Sequence, residues 1–180
     1  MSPSESPTPI ASLDARRVGL IALLALILGF ARYTPIFSEP FNLSTADRMT
    51  VGFAGEVIKN WQKFGFRAEG GRPIAHIFPA QPPVIEYYFH HPPAFYWLTY
   101  GMTRVFGMTE TAMRLVPALC AALSIALTVL LIGRRLGPIA ASACTIIYLA
   151  DQAGAFFGWM ANYESPVLAS ILATLVLRDH

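Results

Sequence analysis

Charge is what this chain has least of. Asp, Glu, Lys and Arg make up 13% of its 180 residues, about half the ~25% of an ordinary soluble domain. The charges that exist are separated by long uncharged blocks, and 54% of the side chains are apolar. A globule that covers its surface with charge is excluded, and a bilayer is the expected solvent. Net charge is also lacking: the balance is +2, too little to grip a polyanion, so nucleic acid is not expected as a partner. Cysteine is nearly absent. Cys120 and Cys144 lie in apolar runs with no Cys-x-x-Cys spacing, which makes them small core residues rather than a disulfide or a zinc site. A signal-peptide cleavage site is missing too. Residues 18–31 have the length of an apolar signal core, but Arg32-Tyr33-Thr34-Pro35 follows in place of a small-x-small site. An uncleaved first transmembrane helix is expected, preceded by a Ser- and Pro-rich stretch, residues 1–17, that reads as a disordered cytoplasmic tail.

The apolar blocks predict an all-α integral membrane protein with about four transmembrane helices. A span needs about 20 apolar residues. The candidates are residues 18–37, 115–133, 136–157 and the short 165–177. Positive charge sets their direction. Arg16 and Arg17 precede the first span, Arg134 and Arg135 separate the second from the third, and Arg178 follows the fourth. With all three groups cytoplasmic, the spans alternate without conflict. Residues 38–114 then form a long first outer loop. The apolar stretch 94–106 cannot also cross, because that would carry Arg134 and Arg135 outside. It is expected to lie in the outer interface, with Phe95, Tyr96, Trp97 and Tyr100 as an aromatic belt.

Within the outer loop, Ser44 and Thr45 suit a helix N-cap ahead of Asp47. Val51, Ala54, Val57, Ile58 and Trp61 then recur at helical spacing. Residues 67–83, with Gly70-Gly71 and four prolines, read as a loop. Its apolar content, Ile74, Ile77 and Phe78, argues for a packed lid over disorder. His90-His91-Pro92-Pro93 comes next. Two prolines suit a helix start, and two histidines before it sit where a helix N-terminus meets water and attracts anions. Beside a membrane, that anion is a lipid phosphate.

The order of features resembles a family. It runs through Asp47, His91-Pro92-Pro93, Tyr96-Trp97-Leu98, Phe106-Gly107, Glu110, Arg114-Leu115, Pro117-Ala118-Leu119 and Gly133-Arg134-Arg135-Leu136-Gly137. Taken in this order, the motifs resemble the GT-C membrane glycosyltransferases, in the group related to protein O-mannosyltransferases and lipid A aminoarabinose transferases. The resemblance covers residues 18–180, as the N-terminal part of such an enzyme. Two departures stand out. Asp47-Arg48 replaces the Asp-Glu common in the first outer loop, and Asn162-Tyr163-Glu164 stands where many members place an Asp.

The resemblance implies transfer of a sugar from a polyprenyl-phosphate donor to an acceptor hydroxyl, on a lipid, glycan or protein, at the outer face. The location it implies is a bacterial inner (plasma) membrane. Such chemistry needs a general base, and positive charge or a divalent metal ion to hold the leaving phosphate. No metal ligand set or other cofactor is readable. Asp47 is the expected base, although its position also suits simple helix-dipole complementarity. Glu164 is the second carboxylate, or only a helix-start acid. His90 and His91 are read as phosphate or metal ligands, or as a solvated pair. Arg114 is a phosphate ligand or a snorkelling anchor. Glu56 follows Asp47 by nine residues, about 2.5 helical turns, so the two cannot share a face. The competing reading is a non-catalytic membrane protein, such as a transporter subunit or an assembly factor. It would place its polar groups at mid-membrane, whereas these carboxylates gather near the outer surface.

Overall fold

A computed structural model describes residues 9–37, 53–78, 84–88, 93–151 and 164–178. The chain is mostly helical. Its elements are α1 (Pro9–Ala31) with a 3₁₀ turn (Thr34–Ile36), α2 (Phe53–Phe64), β1 (Ile74–Phe78), β2 (Val84–Tyr87), α3 (Ala94–Phe106), α4 (Glu110–Leu136), α5 (Pro138–Ala150) and α6 (Glu164–Arg178). Two helical stretches, Leu13–Ile36 and Glu110–Leu136, are long and apolar enough to cross a membrane.

Helix α1 turns small residues inward and large ones outward. Val18, Ala22, Ala25 and Gly29 are buried, while Leu20, Leu23, Leu24 and Ile27 are more than half exposed. That inversion suits a helix whose outer side meets hydrocarbon. It begins at Pro9, inside the stretch read as a disordered tail; proline's fixed φ is already right for a first helical turn. Helix α4 is the longest. The Thr109 side chain accepts a hydrogen bond from the Ala112 N–H at 3.2 Å, Glu110 lies in its first turn, and Arg134 and Arg135 lie in its last, all complementary to the helix dipole. It ends where Gly137 adopts φ 88°, a conformation that needs glycine. Pro138 then starts α5.

Helices α1, α4, α5 and α6 form a bundle with α4 at its centre. Close approaches set the register. A Cβ on Gly133 would meet Val18 Cγ1 at 2.5 Å and Ala141 Cβ at 3.0 Å, and one on Gly29 would meet the Ala122 backbone at 3.6 Å. So α1 runs antiparallel to α4, with the two helices closely packed at two levels. Arg134 Nη1 donates to the Val176 carbonyl at 3.3 Å, which sets α6 parallel to α4. Charges therefore segregate. Arg17, Arg134, Arg135 and Arg178 share one end of the bundle; Arg32, Asp151 and Glu164 lie toward the other. The alternation expected from the arginines is the alternation of these helices. The expected third span is described as the shorter Pro138–Ala150, with residues 152–163 outside the described residues.

The described residues between α1 and α4 form a folded cap, and here two expectations are corrected. Residues 67–83 are not all loop: β1 pairs antiparallel with β2, Ile77 opposite Ile85 and Phe78 opposite Val84. The β-branched residues read as lid filling are strand residues. The fold is therefore helical with a small two-stranded sheet. The second correction concerns the aromatic belt. Phe95 and Tyr96 do not face outward; they join Ala54, Val57, Ile58 and Trp61 of α2 and Met113 and Val116 of α4 in one buried cluster. Tyr100 stacks on Phe66 with ring centroids 5.1 Å apart. Helix α3 is thus a core element of the cap. Its outward face is also apolar, with Trp97, Leu98 and Val105 exposed. Thr99 and Thr103 turn inward and spend their hydroxyls on the carbonyls of Phe95 and Tyr100.

Two variants test this architecture. Gly133→Leu has no room between Val18 and Ala141. It should destabilise the bundle by about 1–3 kcal/mol, seen as a lower Tm in detergent and partly restored by Val18→Ala. Trp61→Ala empties the centre of the cap at about 3–5 kcal/mol. It should speed tryptic cleavage after Arg67 and Arg72 while leaving the bundle helicity unchanged by circular dichroism.

Candidate functional site

At the end of the bundle opposite the arginine group, α1, α4, α5 and α6 splay around a cavity of about 490 Å³. Its walls are apolar, from Ala121, Ile125, Leu168 and Leu172, with Tyr33 and Tyr148 beside them. Its polar lining comes from Arg32, Ser124, Thr128, Asp151, Glu164 and Ser165. Ser124 and Thr128 are one turn apart on α4, and their hydroxyls donate to the carbonyls of Cys120 and Ser124 at 2.8 Å each. This keeps each hydroxyl proton on its own helix and leaves oxygen as the group shown to the cavity. Arg32 ties α1 to α5. It donates from Nη1 to the Tyr148 carbonyl at 2.9 Å and from Nη2 to the Asp151 carbonyl. A guanidinium there satisfies carbonyls that α5 leaves open at its C-terminus.

The depth of these charges matters. From Arg17 to Arg32 along α1 is about 22 Å, and from Glu164 to Val176 along α6 about 18 Å, at 1.5 Å per residue. A bilayer's hydrocarbon core is about 30 Å thick. Helix α4 continues beyond the cavity for some three turns, to Glu110. Arg32, Asp151 and Glu164 are therefore set below the N-terminal end of the longest helix. Ionisable groups at such depth are costly, and their usual reason is function.

Above the cavity mouth, the segment after α1 is pinned to α4. Arg114 is buried and donates to the Ile36 carbonyl, and Thr111 Oγ1 donates to the Phe37 carbonyl at 2.8 Å. Two indoles hold the cap's turn: Trp61 Nε1 donates to the Arg72 carbonyl at 2.7 Å and Trp97 Nε1 to that of Gly71 at 2.8 Å. Gly71 needs its lack of a side chain, because its φ is +70° and a Cβ would lie 3.0 Å from Trp97 Nε1. Tyr87 donates to Glu69 Oε2 at 2.6 Å, with the Arg72 guanidinium 4.3 Å from its ring centre. That hydrogen bond to Glu69, helped by desolvation, holds the phenol above its ordinary pKa against the opposing pull of Arg72.

Of the residues singled out in the sequence, Asp47, His90 and His91 lie outside the described residues. Glu164 begins α6 and lines the cavity. Arg114 is buried against the Ile36 carbonyl and is not among the cavity-lining residues. Sequence reasoning passed over Arg32, Asp151, Ser124 and Thr128 as site residues. The signal was available for the first two, each a lone charge at the end of an apolar run. Among the described residues no three His, Cys, Asp or Glu side chains are grouped to hold a metal ion.

A family model, described as dolichyl-phosphate-mannose-protein mannosyltransferase, matches residues 90–178. Over that stretch the chain is mannosyltransferase-like. The matched residues include α3, α4, α5 and α6, hence three of the four helices around the cavity, and all the motifs quoted above except Asp47. That stretch is thus similar to a glycosyltransferase family, and two helices of the chain are long and apolar enough to cross a membrane. No curated protein and no solved structure matches the chain at a significant level.

Replacing Arg32 tests the coherence of this end of the bundle. Arg32→Leu removes two charge-assisted hydrogen bonds to the end of α5. Each is worth about 1.5–3 kcal/mol when formed, so a lower Tm in detergent is expected, with Arg32→Lys losing less.

Proposed function

We propose that this chain carries the first helices and the outer loop of a glycosyltransferase that uses a polyprenyl-phosphate sugar. The acceptor is a hydroxyl on a lipid, glycan or protein at the outer face of a bacterial plasma membrane. The observation that carries the reading is the family match over residues 90–178, which falls on the helices that hold charged groups at the edge of an apolar cavity. A donor with a hydrocarbon tail and a phosphate head needs those two environments side by side.

In this reading the acceptor oxygen attacks the anomeric carbon of the sugar. The bond from that carbon to the phosphate oxygen breaks, and the polyprenyl phosphate leaves with the electron pair. Asp47 takes the hydroxyl proton. Glu164, at the cavity edge, orients the acceptor or holds a divalent ion. His90 and His91, just before the start of α3, meet the phosphate. Arg114 holds the Ile36 carbonyl, so its part is to fix the beginning of the outer loop that leads to Asp47.

In a full-length version of the protein, Asp47→Asn is expected to lower sugar transfer by about 10²–10⁴-fold, the usual cost of a lost general base, with expression and membrane insertion unchanged. Glu164→Gln should lower transfer less and raise KM for the acceptor. The assay is transfer of radiolabelled sugar from polyprenyl phosphate by membranes carrying the protein. Transfer within a few-fold of wild type for Asp47→Asn would reject the base assignment. A non-catalytic subunit would show no transfer in any variant or in the wild type.

A further inference from the structure

We propose that the end of the bundle carrying Arg17, Arg134, Arg135 and Arg178 is a docking surface for anionic phospholipid headgroups. This goes beyond sugar transfer and does not depend on it.

The packing brings these arginines together from three helices. The near-contact of Gly133 with Val18 sets Arg17 beside Arg134. The hydrogen bond from Arg134 Nη1 to the Val176 carbonyl sets the end of α6, and with it Arg178, at the same level. Arg16 precedes Arg17 on the same exposed turn of α1. Five guanidinium groups therefore crowd one end of a bundle whose whole chain has a net charge of only +2. Among the described residues, the one carboxylate at this end is Asp14. It lies 3.5 Å from Arg17, with both side chains about half exposed; Asp179 follows Arg178 in the sequence, and the bases still outnumber the acids.

What surrounds the arginines decides the partner. Leu136 and Leu177 are each 73% exposed and Ile139 is 85% exposed, all within a few residues of Arg135 and Arg178. A nucleic acid or an acidic peptide would leave these side chains in water. A leaflet satisfies both sets at once, with acyl chains against the leucines and isoleucine and phosphates against the guanidinium groups. The planar fork of arginine matches the two oxygens of a phosphodiester better than a point charge would. Arginines spread over three helices also offer more than a topology signal, since they can hold a headgroup between α1, α4 and α6.

The test uses the full chain purified in neutral detergent. Brominated phosphatidylglycerol and brominated phosphatidylcholine of the same chain composition are titrated separately, and quenching of tryptophan fluorescence and Tm are read. Because Trp61 and Trp97 lie in the cap, a tryptophan introduced at Ile139 is compared with the parent protein, and the added signal reports on the arginine end. The expected result is at least tenfold tighter binding of phosphatidylglycerol, with a Tm rise that phosphatidylcholine does not give. The preference should shrink several-fold in 0.5 M salt. Arg134→Gln with Arg135→Gln should lose most of it, whereas the corresponding lysine pair should keep the charge preference in part. Arg104→Gln, at the other end, should leave it intact. Equal binding of the two lipids by the Ile139→Trp protein, or an undiminished preference in the glutamine pair, overturns the proposal. Should the glutamine pair fail to fold, the salt dependence and the lysine pair decide: a preference insensitive to salt and weaker than tenfold also overturns it.

Discussion

The bundle depends on how closely α1 approaches α4. Gly29 against Ala122 and Gly133 against the Val18 side chain bring the two helices close at both ends of the contact. In a lipid surround there is no hydrophobic gain in burying one leucine against another, so dispersion between close backbones carries much of the association. Small residues inward and large residues outward follow from that constraint. So does the register that aligns the arginines at one end and gathers Arg32, Asp151 and Glu164 near the other. One bulky side chain in the seam would shift both sets relative to each other.

The second organising feature is the cap. Its cluster draws on α2, α3 and the beginning of α4, so it is continuous with the bundle rather than tethered to it. Met113 and Val116 belong to the cap core, while Ala118 and Ile125 further down the same helix belong to the bundle. Helix α4 thus transmits position between the loop region and the cavity. The Arg114 and Thr111 contacts to the carbonyls of Ile36 and Phe37 complete that link.

The helical elements were readable because their signals are local. The 3.6-residue stripe from Ala54 to Trp61, the Thr109 cap and the Gly137-Pro138 break each lie within a few residues of what they specify. The arginine pattern supplied the alternation of the helices. The strands were missed because Gly70-Gly71 and the prolines around Ile74–Phe78 dominate a short window, and the pairing that stabilises them is with residues six to thirteen positions on. The burial of Phe95 and Tyr96 was missed because an aromatic on an apolar helix reads alike whether it faces lipid or a neighbouring helix. The cavity escaped for a stronger reason: Arg32, Ser124, Asp151 and Glu164 are spread over 132 positions of sequence, and only the bundle register brings them to one wall. Glu164, singled out as an acid at a helix start where the family pattern departs, lines that wall. Arg114, read as a phosphate ligand or an anchor, is buried with a hydrogen bond to the Ile36 carbonyl.

The short separation between the two charged levels of the bundle has a consequence for the surrounding lipid. About 20 Å of apolar wall on the α1 and α6 side is roughly 10 Å less than an average hydrocarbon core, while the longer α4 rises behind it. A bilayer meeting that shallower side must compress locally, at a cost of a fraction of a kcal/mol for each ångström of mismatch. The protein is therefore lopsided in hydrophobic height. Thinner membrane meets that side at less cost than thicker membrane.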